Sequence, residues 1–141
     1  MKYTFKISNA HAHFIEIIIE HNVTDLEAVT VQLPSWRPGR YELGDFAKNV
    51  KDFKVVDEKE CDLSFEKSSK DKWQINTKGA KSIFITYLYY ANELNAGSTY
   101  LDEHQLYVNP INCCMYLDSA LDQECLVQLD LPEDYTVATS M

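Results

Sequence analysis

The 141-residue sequence predicts an all-β fold, an antiparallel β-sandwich or a saddle-like pair of sheets, in one domain over residues 1–141. Apolar and polar residues alternate with period two in short segments from end to end, as in strands with one buried face. Turn signals such as Ser8-Asn9 separate these segments at spacings typical of sandwiches. Nine tyrosines and an aromatic content of 12% favour pleated, half-buried surfaces over helices.

The alternation defines the expected strands in chain order. They cover residues 3–7, 13–21, 28–33, 53–56, 63–65, 73–75, 83–90, 107–116, 126–131 and 135–137. One short helical turn is expected near residues 45–50, with Asp45 as its amino-terminal cap. Strand 83–90 carries apolar side chains on both faces. It is therefore either a central strand beneath a second layer or a strand whose outer face docks another domain.

Charge is distributed unevenly along the chain, whose net charge is -9. All 13 basic residues lie at or before Lys81, whereas residues 82–141 hold 9 acids and no base. Nucleic acid and anionic membranes need clustered lysines and arginines, so the sequence predicts neither as a partner. An acidic surface attracts a cationic group such as the free amine of a peptide, although a solubilising face explains the same charges.

The sequence also predicts a cytoplasmic protein. Its first residues, Met1 to Lys6, lack the apolar stretch of a secretory signal, and its longest apolar run, residues 83–91, is too short to cross a bilayer. The four cysteines form no Cys-x-x-Cys motif, and we expect free, mostly buried thiols. Adjacent Cys113 and Cys114 would point to opposite faces of a strand, so they neither pair nor clamp one metal.

Histidines are the candidates for metal chemistry. On a strand, His11 and His13 would share a face, and these two imidazoles together with His104 could ligate zinc. Two histidines at the exposed start of a strand are more often solvated. Nucleophile-elbow, phosphate-binding and His-Glu-x-x-His motifs are absent from the sequence. It therefore predicts no catalytic residue, no metal site and no cofactor in this chain.

The most unusual segment is residues 33–50. Pro38-Gly39 suits the central positions of a type II turn, because proline fixes φ and glycine takes the positive φ that follows. Beside this turn stand two aromatic anchors and two arginines, namely Trp36, Tyr41, Arg37 and Arg40. A rigid corner whose aromatics plug the end of the sandwich explains most of this pattern. The arginines could also pair with acids of a neighbouring domain.

The same segment carries a family resemblance. Its motif Pro34-x-Trp36-x-Pro38-Gly39-x-Tyr41-x-x-x-Asp45-Phe46-Ala47-x-x-Val50 resembles a signature of the amino-terminal domain of the glycyl aminopeptidase family of zinc metallopeptidases. Downstream segments are similar to that family in order and spacing. They are the strand around Trp73, residues 87–94 with 100–102, and residues 131–139, which look like the strand pair that closes the domain.

In that family the β-domain precedes a thermolysin-like catalytic domain, which holds the zinc, and often a PDZ domain, and this chain contains neither. The resemblance implies a non-catalytic, amino-terminal piece of a longer peptidase that braces the catalytic domain and frames the peptide cleft. No zinc ligand of the family has a matching position here. The candidate substrate-binding or domain-docking residues are Trp36, Arg37, Arg40, Tyr41, Tyr90, Asn92, Tyr100 and Asp102.

The resemblance implies two partners, the protein's own catalytic domain and a peptide substrate. An uncovered docking face would also permit a homodimer. A different class of function stays open, a free-standing β-sandwich that binds carbohydrate or protein through exposed aromatics. That alternative needs a coplanar platform of tyrosine and tryptophan rings on one exposed face.

Overall fold

The computed structural model describes residues 1–139, which form eleven strands, one short α-helix and two 3-10 helices. The strands are β1 (Lys2–Asn9), β2 (Phe14–Asn22), β3 (Ala28–Gln32), β4 (Val50–Asp57), β5 (Phe65–Lys67), β6 (Lys72–Asn76), β7 (Ser82–Tyr90), β8 (Tyr100–Leu101), β9 (Leu106–Tyr107), β10 (Tyr116–Leu117) and β11 (Leu126–Asp130). The helices are α1 (Pro110–Cys113) and the 3-10 turns Phe46–Asn49 and Asp118–Ala120.

Two sheets carry the fold. The larger has the strand order β11-β1-β2-β7-β4, in which β1 and β11 are parallel and the other neighbours are antiparallel. The second, with the order β10-β3-β6-β5, is antiparallel, as is the separate β8–β9 pair. The predicted all-β, antiparallel fold is confirmed.

Alternation decides which side chains enter the core between the sheets. Inward residues of β2 and β7 are fully buried, and residues of β3 and β6 in the second sheet join the same cluster. The largest buried side chains include Ile15, Ile17, Ile19, Ile75, Ile83, Ile85 and Tyr87. Burying each such side chain stabilises the fold by about 1.5–3 kcal/mol relative to exposure.

The position of β7 resolves the double apolar pattern of residues 83–90. β7 lies between β2 and β4, and its inward face is buried against the second sheet. Its outward residues, among them Phe84 and Leu88, are half-buried. A second layer therefore explains one face of this strand, and the outer face keeps apolar surface in contact with solvent.

Two buried tyrosines fix the segment that follows α1. The Tyr87 hydroxyl donates to the Cys113 carbonyl at 2.6 Å and accepts from the Met115 N–H at 3.2 Å. The Tyr3 hydroxyl donates to the Met115 carbonyl at 2.8 Å. Burial raises the pKa of the Tyr87 phenol well above its ordinary value, so the hydroxyl remains a donor. The larger sheet thereby holds a loop-rich stretch in place.

Two predicted strands are wrong. Residues 107–116 contain the end of β9, the helix α1 and the start of β10 instead of one strand. The helix forms because the Asn109 side chain accepts from the Ile111 N–H and Pro110 is its first residue. Residues 135–137 form no strand, and the closing strand pair implied for residues 131–139 is absent. The strand expected at 63–65 lies at Phe65–Lys67.

The helical turn predicted near residues 45–50 is present as the 3-10 helix Phe46–Asn49, and Asp45 occupies its N-cap position as predicted, but without the expected side-chain bond. The Asp45 side chain makes no capping bond, and the Asp45 backbone carbonyl accepts from the Lys48 N–H at 3.4 Å instead. No helix of the described residues is long and apolar enough to cross a membrane.

The cysteines are free, as expected, but they are not mostly buried. Cys113 is buried and Cys114 half-buried, whereas Cys61 and Cys125 are exposed. Cys61 ends the turn after β4, and Cys125 precedes β11, so neither belongs to a strand that faces the core. Cys113 ends α1, so the argument that adjacent cysteines point to opposite faces of a strand does not apply.

Candidate functional site

The chain between β3 and β4 forms a closed loop over residues 35–44. The Gly44 N–H donates to the Ser35 carbonyl at 2.7 Å and joins the loop ends. Within it, the Arg40 N–H donates to the Arg37 carbonyl at 3.3 Å and Gly39 has φ +85°, which confirms the predicted type II turn. The Trp36 indole N–H donates to the Arg40 carbonyl at 2.7 Å and braces the turn from the side.

This loop presents its apolar side chains to solvent. Trp36 is 50% exposed, Leu43 is 79% exposed and Tyr41 is fully exposed. The expectation that the aromatics plug the end of the sandwich is therefore wrong. The reason is local, because the loop's own hydrogen bonds hold it together and its apolar residues are not needed to close the core. Isolated exposed apolar residues are ordinary, whereas several on one ordered loop indicate an interaction surface.

The two arginines of the turn differ in their surroundings. Arg40 pairs with Glu42 at 3.6 Å on the surface. Arg37 lies against Gly97 so closely that a Cβ at that position would overlap its guanidinium. Its Nε is buried, and no hydrogen-bond partner for it exists among residues 1–139. Arg37 therefore joins the 35–44 loop to the loop that follows β7.

That second loop, residues 91–99, is fixed by polar contacts. The buried Asn112 side chain of α1 donates to the Gly97 carbonyl, which ties α1 to the loop. The Ser98 hydroxyl donates to the Glu93 carboxylate at 3.1 Å and to the Asn95 side-chain oxygen at 3.0 Å. The Asn112 Oδ1 atom is buried and has no partner in the part of the chain that the structure describes.

A cleft of about 280 Å³ separates the two loops. Its walls come from residues 40, 42–46, 48 and 49 on one side, and from the end of β7, residues 93, 98 and 99, and Asn112 on the other. Both signs of charge line it, with the cations Arg40 and Lys48 and the acids Glu42, Asp45 and Glu93. Tyr89 lies at its base and accepts from the Asn49 amide at 3.1 Å. The cleft can therefore contact a polar main chain or paired charges of a partner.

The remaining predicted residues form a chain of contacts beside this cleft. The Asn92 amide donates to the Tyr90 hydroxyl at 2.9 Å, and Asn92 bridges to Tyr100 on β8. Asp102 accepts from the backbone N–H groups of His104 at 2.8 Å and Gln105 at 2.9 Å. These bonds, the His104 bond first, hold the pKa of the Asp102 carboxyl below its ordinary value and stabilise its charged form. Asp102 therefore orders the β8–β9 turn.

All eight predicted candidates lie at one end of the larger sheet, where β7 ends and β2 and β4 begin. Arg40 and Tyr90 line the cleft directly, and Trp36 and Arg37 hold its outer wall. Sequence reasoning missed Gly97, Glu93 and Asn112. Gly97 meets Arg37 and Asn112 across 60 and 15 positions, and Asn112 lies on a helix that was predicted as strand. Glu93 contacts Ser98, five positions away, in a loop that has no periodic pattern.

The histidine hypothesis finds no support in the fold. His11 and His13 lie in the turn between β1 and β2, where His13 has φ 59°, and so they do not share a strand face. His11 pairs with Glu103 at 3.2 Å, and the His13 imidazole meets the Leu101 carbonyl. Among residues 1–139 no group of three His, Cys, Asp or Glu side chains is arranged to hold a metal ion.

The comparisons with known proteins agree with the motif around Trp36. A family model described as the peptidase M61 N-terminal domain matches residues 2–141. A solved structure, described as an aminopeptidase N family protein from Idiomarina loihiensis, superimposes with a TM-score of 0.86 and 26% identity. The match covers 94% of this chain and 22% of that one, so this chain spans about a fifth of that protein's length.

No curated protein matches the sequence. The resemblance to the amino-terminal domain of a peptidase family, first seen in the residues, is nevertheless confirmed by the family model over nearly the whole chain. This chain therefore belongs to the family of peptidase M61 N-terminal domains.

Proposed function

We propose that this chain is the non-catalytic domain of a zinc-dependent aminopeptidase, and that its 35–44 loop and adjacent cleft contact the catalytic domain and frame the peptide substrate. One observation carries the proposal. The loop is closed by its own hydrogen bonds and displays Trp36, Tyr41 and Leu43 to solvent. Preorganised aromatic side chains bind partners at low entropic cost and often dominate interface energies.

The charges of the cleft suit the same role. Glu42, Asp45 and Glu93 attract the amine of a peptide, and Arg40 and Lys48 offer partners to carboxylates. The residues of this chain do not fit zinc, since the described part contains no suitable ligand group. In this proposal the zinc and the hydrolytic chemistry belong to the catalytic domain, and this chain supplies positioning alone.

The first test uses the 141-residue chain itself. We expect no hydrolysis of glycine p-nitroanilide with or without added zinc, and substoichiometric zinc by metal analysis after dialysis. Hydrolysis by the purified chain, or one tightly held zinc per chain, would contradict the proposal. Glycan-array binding that Trp36→Ala abolishes would instead support the alternative of a carbohydrate-binding module.

The second test uses the full-length peptidase. We expect Tyr41→Ala to lower kcat/KM for glycyl peptides by about tenfold or more, because a large exposed aromatic ring is a typical interface anchor. Leu26→Ala is the matched control, since Leu26 is 40% exposed in the turn between β2 and β3, at the opposite end of β3. Equal kinetics in wild type and Tyr41→Ala would remove the loop from the interface.

A further inference from the structure

The outer face of the larger sheet carries a second surface beside the cleft. The rings of Phe14 and Tyr90, whose centroids are 5.4 Å apart, join the two surfaces. Its central strands β2 and β7 present Phe14, Ile18, Phe84 and Leu88, all of them half-buried. Their inward neighbours are fully buried beneath the second sheet. Within residues 1–139 no equally close layer covers the outer face, so these four side chains stay partly exposed. The outward apolar side chains form a band along the sheet.

Charges flank this band with opposite sign on its two sides. β2 contributes Glu16 and Glu20, and β4, on the other side of β7, contributes Lys51 and Lys54. Glu20 lies 4.0 Å from Lys2 of the neighbouring strand. Glu16 and Lys54 form no ion pair with any residue in the range 1–139. Lys6 of β1 lies opposite Glu16 but pairs with Asp130 at 3.5 Å. Lys51 reaches the adjacent Asp52 at 3.8 Å, and its ammonium group lies 5.6 Å from the centre of the Phe14 ring.

The strand register places these charges in matching rows. Glu16 lies directly opposite Leu88, and Leu88 lies directly opposite Lys51, so the three share one row across the sheet. Lys54 occupies the next row, opposite Thr86. A 180° rotation about an axis parallel to β7 therefore moves Glu16 to the side of the row that Lys51 occupied, and moves Lys51 to the side that Glu16 occupied.

We infer that this face binds a second copy of the same chain, with the two-fold axis parallel to β7. Glu16 of each copy then faces Lys51 of the other, and Leu88 meets Leu88 at the axis. A two-fold interface needs a self-complementary patch, and this face meets that condition because Glu16 and Lys51 flank Leu88 on opposite sides of the same row. Packed sheets lie about 10 Å apart, a gap that opposing glutamate and lysine side chains can span. The inference does not rest on the proposed function.

Sedimentation velocity of the 141-residue chain tests the inference. We expect a concentration-dependent dimer at low salt that weakens as salt screens the pairs. Glu16→Lys and Lys51→Glu should each raise the dimer dissociation constant about tenfold or more, since either change turns both attractive pairs into repulsive ones. Lys78→Glu, an exposed change in the turn before β7, is the matched control and should leave the dimer intact.

An equimolar mixture of the two reversed variants gives the sharpest result. In a heterodimer of Glu16→Lys with Lys51→Glu, both rows again join opposite charges, so the mixture should dimerise although neither variant does alone. Circular dichroism confirms that each variant is folded. If Glu16→Lys does not fold, Glu16→Gln replaces it in the comparison with wild type. A monomeric wild type, a mixture that stays monomeric, or a dimer lost in Tyr41→Ala instead would overturn the inference.

Discussion

Tyr87→Phe is the most direct test of how the fold supports the site. The change removes one hydroxyl from a fully buried side chain and leaves the ring in place. The Cys113 carbonyl then loses its hydrogen-bond donor at 2.6 Å, and the Met115 N–H loses its acceptor at 3.2 Å. Each lost bond costs about 1 kcal/mol and each stranded buried group adds to that, so we expect a loss of about 2–4 kcal/mol.

Urea unfolding followed by tryptophan fluorescence measures this loss, since Trp73 is buried in the core. Tyr89→Phe is the matched control, because within residues 1–139 the Tyr89 hydroxyl makes one hydrogen bond, from Asn49, at the base of the cleft. It should cost about 0.5–1.5 kcal/mol. A Tyr87→Phe variant as stable as wild type, or a Tyr89→Phe variant equally damaged, would refute this account of the α1 segment.

Two further predictions concern the loop junction and the dependence of stability on pH. Gly97→Ala should lower the free energy of unfolding by about 1 kcal/mol, because the new Cβ displaces the Arg37 guanidinium. In an Arg37→Ala background the same change should cost nothing, and equal losses in both backgrounds would contradict the contact. Burial, and then the nearby Met1 amine, lowers the pKa of His21, so the unfolded chain binds its proton more readily. Stability should therefore fall as pH drops below about 6.5, and a His21→Gln variant should show a smaller fall by urea unfolding at each pH.

The fold was largely predictable because its strands have one buried face. Alternation placed β2 and β7 in the core, and their inward isoleucines are fully buried. The turn at Gly39 was predictable for a local reason, since its positive φ favours glycine. Both predictions rest on forces that act within a few residues, and a single sequence displays such forces.

The features that sequence reasoning missed have more than one cause. Residues 107–116 look like a strand by apolar content, but Asn109 and Pro110 start a helix, and two distant tyrosines fix its end. The contact between the Arg37 guanidinium and Gly97, sixty positions away, had no signal in the sequence either. Contacts over such distances depend on how the sheets stack, and periodicity carries no information about that.

The two proposed surfaces are compatible in one molecule because they occupy different parts of the larger sheet, although the Phe14–Tyr90 contact joins them. The 35–44 loop stands at the end of the strands, whereas Glu16 and Lys51 lie on the outer face. A two-fold axis parallel to β7 reverses the sheet from side to side but preserves the direction of its strands. Both loop ends of the proposed dimer therefore point the same way, and the two surfaces proposed to contact a catalytic domain lie side by side. Tyr41→Ala and Glu16→Gln should then have additive effects on stability, because Tyr41 is fully exposed on the loop and Glu16 lies within β2.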